Sequence, residues 1–308
     1  MVLEYLKISF SYSVLIVLVL ISVAFVTLME QKILAGSQIR VGPNYVGMWG
    51  VLQPFSDATK LFVKEGLFLV KANLLVYWLS PVISLGLALF MWVIFPFLEG
   101  GMALSYSLLL FICVSGLSVF PILGSGWSSN CKYSMLGSLR SVAQMVSYEI
   151  SLVMIILSLV WLSGGFNLSG VVYNQVYMWN FFVFFPLSFI WFASSLAETN
   201  RSPYDFSEGE SELVSGFNTE YSAGGFVLIF MSEYANILFM CLLFVVFFFG
   251  SWVKWGLILK VMIAVYLFVW VRATMPRYRY DKLMYLAWKG FLPVSLLLFV
   301  FYMGVLGL

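Results

Sequence analysis

The sequence predicts an all-α polytopic membrane protein: one membrane domain, residues 1–308, of about eight transmembrane helices, with a surface amphipathic helix in its first long connection. Three observations carry that prediction. Apolar residues make up 62% of the chain, and mean hydropathy is +1.00. Only 16 Lys and Arg and 14 Asp and Glu are present, 10% of the residues, where soluble domains carry ~25%. The charges also cluster, leaving uncharged runs at 8–29, 72–98, 100–131, 150–197, 234–253 and 290–308. A helix needs ~20 apolar residues to cross a bilayer core, so these runs mark spans, and a soluble globular fold is excluded.

Taken in order, the first run predicts a span over 5–29. No cationic segment or cleavage site precedes it, so it reads as a retained helix and not as a signal peptide. The segment 30–71 follows as a long connection. Within it Arg40-Val-Gly-Pro-Asn44 is a turn signal. In 51–64, Val51, Phe55, Ala58 and Phe62 recur at helical spacing opposite Gln53, Asp57, Lys60 and Lys64, which predicts an amphipathic helix at the membrane surface. It is either a strut in the membrane plane or the wall of an entry for an amphipathic ligand. Spans over 72–96 and 102–123 come next, then a connection at 124–140. The 48-residue run is too long for one helix and breaks at Gly164-Gly165 through Asn174-Gln175, giving spans 140–163 and 176–197. After the segment 198–221 come spans 222–249, 255–275, where Lys260 is close enough to the end to snorkel, and 286–308, the last two joined by 272–289.

Eight spans put both termini on one side. The connections 30–71, 124–140, 198–221 and 272–289 hold thirteen of the sixteen Lys and Arg, against Lys7, Lys254 and Lys260 opposite. By the positive-inside rule these long segments face inward, toward matrix or cytoplasm.

Several chemistries are excluded. With no histidine the chain cannot supply a haem-ligating His, a His-containing zinc site or a Ser-His-Asp triad. Cys113, Cys131 and Cys241 lack Cys-x-x-Cys or iron-sulfur spacing, and no metal site is expected. Carboxylates are the conspicuous remainder. Glu149 lies roughly 14 Å, and Glu233 roughly 16 Å, from the inner ends of their spans at 1.5 Å per residue. An ionised carboxylate there costs at least ~2.5 kcal/mol, so each is expected to be neutral, paired or hydrated. A protonated helix-to-helix hydrogen bond and a proton-relay site both satisfy that requirement. The segment 198–220 adds Glu198, Asp205, Glu208, Glu210, Glu212 and Glu220 against Arg201, a net charge of −5. Crowded carboxylates titrate as a coupled group that can hold protons near neutrality. Alternatively the cluster is balanced by Arg272, Arg277, Arg279 and Lys282.

Glu30-Gln-Lys, Gln38-Ile-Arg-Val-Gly-Pro-Asn44, Gln53-Pro-Phe-Ser-Asp-Ala58, Leu139-Arg-Ser-Val-Ala-Gln144, Ala197-Glu-Thr-Asn-Arg-Ser-Pro203, Glu208-Gly-Glu-Ser-Glu-Leu-Val-Ser-Gly-Phe-Asn218 and Pro276-Arg-Tyr-Arg-Tyr-Asp281 resemble the chain 1 family of mitochondrial NADH:ubiquinone oxidoreductase, respiratory complex I. The resemblance runs nearly end to end and departs from the family pattern at Gln31 and Val41, leaving Arg40 and Lys32 as the cations there. It implies a core membrane-arm subunit of a proton-translocating NADH:ubiquinone reductase without its own redox centre. Ubiquinone is the implied substrate, and NADH, FMN and the iron-sulfur clusters belong to partner subunits. Implied partners are the quinone-module subunits of the peripheral arm, adjacent membrane-arm subunits and lipid, with no nucleic acid. Implied quinone-site residues are Glu30, Arg40, Asp57, Ala58, Lys60, Phe230 and Arg279, with Arg201 ordering the acidic segment. The implied proton path is Glu149, Glu198, Asp205, Glu208, Glu210, Glu212, Glu220 and Glu233. The short chain favours a mitochondrial inner-membrane member, long loops to the matrix, over a bacterial plasma-membrane one. Rival readings are an ion-coupled transporter, disfavoured because no internal repeat is evident, a scaffold for the peripheral arm, and the membrane subunit of an energy-converting hydrogenase.

Overall fold

The computed structural model describes residues 2–66, 70–97, 101–102, 104–206, 216–250 and 254–306. Regular structure among them is entirely helical, and seven helical segments are long and apolar enough to cross a membrane.

The bundle is organised around one helix, α10 (Ala223–Phe248), whose apolar run is far more enclosed than that of any other span. Phe239, Cys241, Leu243, Val246, Phe247 and Phe248 are buried along it. This is what a helix apolar on every side requires: surrounded by other helices, it has no polar face to offer water. Helix α1 (Val2–Ser37) packs on it and buries Val19, Val23, Val26 and Glu30, a four-three-four spacing that makes a single stripe.

Helix α2 (Gln53–Val63) is the expected amphipathic helix, with Pro54 in its first turn. It leans on α1 and α10, and Phe55 meets Phe25 edge-on at 6.1 Å. Helix α3 (Leu74–Met91) follows. The expected span 102–123 is bent into α4 (Ser107–Leu117) and α5 (Val119–Ser128), because Pro121 has no N–H for the carbonyl of Leu117. Helix α6 (Lys132–Ser163) ends at Gly164 in the left-handed conformation, φ 67°, the usual C-terminal stop.

The expected fifth span is a tandem of short helices. After α7 (Leu168–Tyr173), α8 (Asn180–Val183) and α9 (Phe185–Glu198) are separated at Phe184, φ −107° and ψ 37°, just before Pro186. Pro186 sits in the first turn of α9, where its missing N–H is unpaired anyway, and it cannot donate back to the carbonyl of Phe182 to continue α8. Helix α11 (Lys254–Thr274) leads to α12 (Tyr280–Tyr285), which passes through a π turn, Leu286–Phe291, into α13 (Leu292–Leu306).

The expected connections are therefore shorter than the charge pattern implies. Helix α1 continues to Ser37, α5 and α6 consume most of 124–140, and α12 begins at Tyr280. Charge marks where hydrocarbon ends, and helices run on beyond it. Lys260 is held within the protein: its ammonium donates to the carbonyls of Phe249 and Gly250, both at 2.9 Å, and lies 4.8 Å from the Trp179 ring centre. With Gln175 donating to the carbonyls of Val246 and Phe247, it satisfies the otherwise orphaned end of α10.

Candidate functional site

Charged side chains converge where α1, α10 and α11 meet the segment after α9. Glu30, near the end of α1, is buried; it pairs with Arg272 in the last turn of α11 and accepts a hydrogen bond from the Tyr234 phenol of α10. Arg201 lies over the Tyr234 ring, 4.5 Å from its centre, and its guanidinium stands 3.5 Å from the Glu233 carboxylate. One phenol thus lies among the Glu30 carboxylate and two guanidiniums, with the Glu233 carboxylate on the far side of Arg201. Val26, Ile237, Val265 and Phe268 continue the same cleft as apolar wall. The space between them is small, about 20 Å³ accessible to water centres, and joins a charged end to an apolar one.

From Glu233 a second cavity runs between α3, α5, α9 and α10. Its lining includes Ser80, Ser118, Ser125, Glu198, Thr199 and Asn236, and it has about 50 Å³ accessible to water centres, room for a few molecules. Glu198 stands at the end of α9, and its Oε2 is buried without a hydrogen-bond partner among the described residues. Farther along, Ser115 donates to Glu149 at 3.2 Å, with Gly116 leaving room for that carboxylate. Polar groups and water-sized space thus run from Glu233 to Glu198, and Glu149 stands beyond them, held by Ser115.

The segment 199–206 is clamped from both sides. The Gln144 amide of α6 donates to the carbonyls of Ala197 and Tyr204, each at 2.8 Å. Asp205 is buried and pairs with Arg277 at 3.4 Å, while the ring of Tyr204 stacks on Tyr278 at 5.5 Å. Burial, with Tyr278 adding to it, pushes the Tyr204 phenol up to about 12, so it stays protonated at neutral pH.

A family model described as NADH dehydrogenase matches residues 10–303. The chain belongs to this family. NADH dehydrogenase relatives include the NADH-ubiquinone oxidoreductase chain 1 of Anopheles gambiae, 52% identical over 94% of this chain and 93% of that one. Those of Patiria pectinifera, at 49% over 95% and 92%, and Didelphis virginiana, at 44% over 94% of each, carry the same description.

Of the family-implied positions, Glu30, Arg201 and Glu233 are gathered in the charge cluster, Glu198 lines the polar cavity, Glu149 is bonded to Ser115, and Asp205 lies beside the clamp. Arg40, Lys60 and Arg279 are exposed, Arg40 bonding Gln38 at 2.8 Å and Arg279 pairing with Asp281 at 3.2 Å. Asp57 and Ala58 are half-buried on α2, where Asp57 accepts from Gln53. Phe230 packs on Phe226 at 4.2 Å. Glu220 is half-buried, and its carbonyl accepts from Tyr77. Glu208, Glu210 and Glu212 lie outside the described residues. Sequence reasoning passed over Tyr234 and Gln144 and gave Arg272 a different role. A tyrosine beside an intramembrane glutamate, and an arginine at the end of a span, were the available signals.

Proposed function

We propose that this chain is a core membrane subunit of a proton-translocating NADH:ubiquinone oxidoreductase, in the mitochondrial inner membrane with its long connections on the matrix side. It forms much of the ubiquinone tunnel and the start of a carboxylate path that couples quinone reduction to proton movement. The observation that carries the reading is the Arg201–Glu233 ion pair, which joins the charge cluster of Glu30, Tyr234 and Arg272 to the polar cavity lined by Glu233 and Glu198. The isoprenoid tail lies against the apolar wall of the cleft at that cluster, and the headgroup meets its charged end together with Asp57, Ala58, Lys60 and Phe230 around the rim. Arg40 and Arg279 face the peripheral-arm subunits that hold FMN and the iron-sulfur clusters and bring in electrons from NADH. Adjacent membrane-arm subunits and lipid cover the rest.

The coupling is electrostatic. Negative charge arriving near the cluster on quinone reduction favours proton uptake by nearby carboxylates in a low-dielectric setting. Protons then pass along Glu233, Glu198 and Glu149, with Asp205, Glu208, Glu210, Glu212 and Glu220 as the reservoir on the connection. Glu149→Gln in the assembled complex tests this: quinone-linked turnover and pumping fall while assembly is retained. Normal turnover and pumping would remove Glu149 from the path. A quinone photoprobe is expected to label 30–65 in the intact, active complex, and absence of labelling there counts against the tunnel.

A further inference from the structure

The carboxylate cavity shares a wall with a second, larger space. At the ends of α3 and α10 that face the long connections, a cavity of about 200 Å³ is bounded by Phe62 and Lys64 from α2 and its exit, by Tyr77 and Tyr221, and by the first turn of α10. It has room for many waters. Pro81 lines both spaces. Tyr221 lines the vestibule and Ser80 the carboxylate cavity, and their hydroxyl oxygens share a hydrogen bond of 2.9 Å in which either can donate. Both residues are buried. A single hydroxyl-to-hydroxyl contact therefore separates a space at the inner surface from the one that holds Glu198 and Glu233.

We propose that the Tyr221–Ser80 hydroxyl pair is a proton inlet from this vestibule to the carboxylate cavity. The inference rests on the proposed proton-carrying role of that cavity. An excess proton on a protonated vestibule water passes to the Tyr221 oxygen as the phenol passes its own to Ser80 Oγ, and Ser80 releases its hydrogen to cavity water and so to Glu198 or Glu233, leaving neutral water in the vestibule. Each oxygen gains one O–H bond and loses one, so neither keeps a charge. The phenol hydrogen has a second acceptor, the Tyr77 carbonyl at 3.2 Å, and turning between the two resets the relay. The ring is held for this motion by Tyr77, stacked at 4.4 Å and 4°, whose own hydroxyl is tied to the Glu220 carbonyl at 2.8 Å. Burial raises the Tyr221 phenol above its ordinary value, so it relays as a neutral group.

The test uses the intact complex in proteoliposomes, comparing NADH-driven turnover and proton uptake in H2O and D2O. Tyr221→Phe and Ser80→Ala are expected to slow coupled turnover at least about fivefold, as loss of a proton-transfer group does, and to enlarge the solvent isotope effect. Ser80→Thr, which restores a hydroxyl, recovers at least about half the rate. Leu228→Met, a volume-conserving change in the vestibule wall away from the hydroxyl pair, is the packing control. Wild-type rates and isotope effects in Tyr221→Phe, or equal slowing in Leu228→Met, overturn the inlet. If Tyr221→Phe does not assemble, the contrast between Ser80→Ala and Ser80→Thr decides. Glu198→Gln run in parallel separates the two ideas: slowing there alone refutes the inlet and leaves the carboxylate path, whereas no slowing in any variant removes both.

Discussion

Replacing Glu30 by glutamine keeps the shape of the side chain and removes the charge that Arg272 and Tyr234 share. Breaking a fully buried pair by taking away one partner costs ~3–5 kcal/mol, while exposed pairs are worth ~0–1 kcal/mol. The Arg272 side chain is 32% exposed and that of Glu30 9%, so water at the guanidinium screens part of the loss. An intermediate cost of about 1–3 kcal/mol follows. For a chain of 308 residues, at about 1.5 °C per kcal/mol, the melting temperature falls by on the order of 2–5 °C. Arg272→Gln leaves the opposite charge unpaired and is expected to do the same. The double variant Glu30→Gln/Arg272→Gln leaves no orphaned charge and recovers most of the loss, a coupling of about 1–3 kcal/mol in the cycle. Thermal unfolding of the purified complex, followed by intrinsic fluorescence with wild type, both singles and the double side by side, measures it. A double variant whose loss equals the sum of the singles refutes the argument, since the two residues would then be independent.

Two further outcomes follow from the geometry. A Cβ on Gly137 would lie 2.9 Å from the Phe217 nitrogen and 3.0 Å from Gly216 carbons, so Gly137→Ala pushes backbone against backbone and costs about 1–3 kcal/mol; Gly36→Ala, with nothing within 4 Å, leaves the melting temperature unchanged or slightly raised. Gln144→Leu removes both donors from the carbonyls of Ala197 and Tyr204 and costs about 1–3 kcal/mol, with faster amide exchange across 199–206; unchanged exchange there rules out the clamp.

Much of the fold was legible because the bilayer makes charge expensive, so uncharged runs mark spans. Gly164 ended α6 where the glycine pair implied, and the alternating faces of 51–64 gave α2. The helix ends were not legible from charge. Glu30 interrupts an apolar run without interrupting α1, and Lys132 and Arg140 stand inside α6, because a helix leaving the hydrocarbon keeps its backbone bonds. The breaks before Pro121 and Pro186 were hidden by apolar neighbours on both sides. At the site, Glu149 and Glu233 stood out by the cost of their position and Glu198 by its crowded segment. Their partners did not. Glu30 and Arg272 are 242 positions apart, and the neutral Tyr234 and Gln144 carry no charge to betray them.

The length of α1 has a mechanical consequence. Its 36 residues make a rod of about 54 Å, while the hydrocarbon is ~30 Å thick, so some 24 Å of unbroken helix projects or is taken up by tilt. Glu30 rides on that rod, about two turns short of the connection that begins after Ser37. Any displacement of the connection therefore acts as a force on a lever pivoting in the bilayer. Motion at the charge cluster and motion at the opposite surface are two ends of one rigid body.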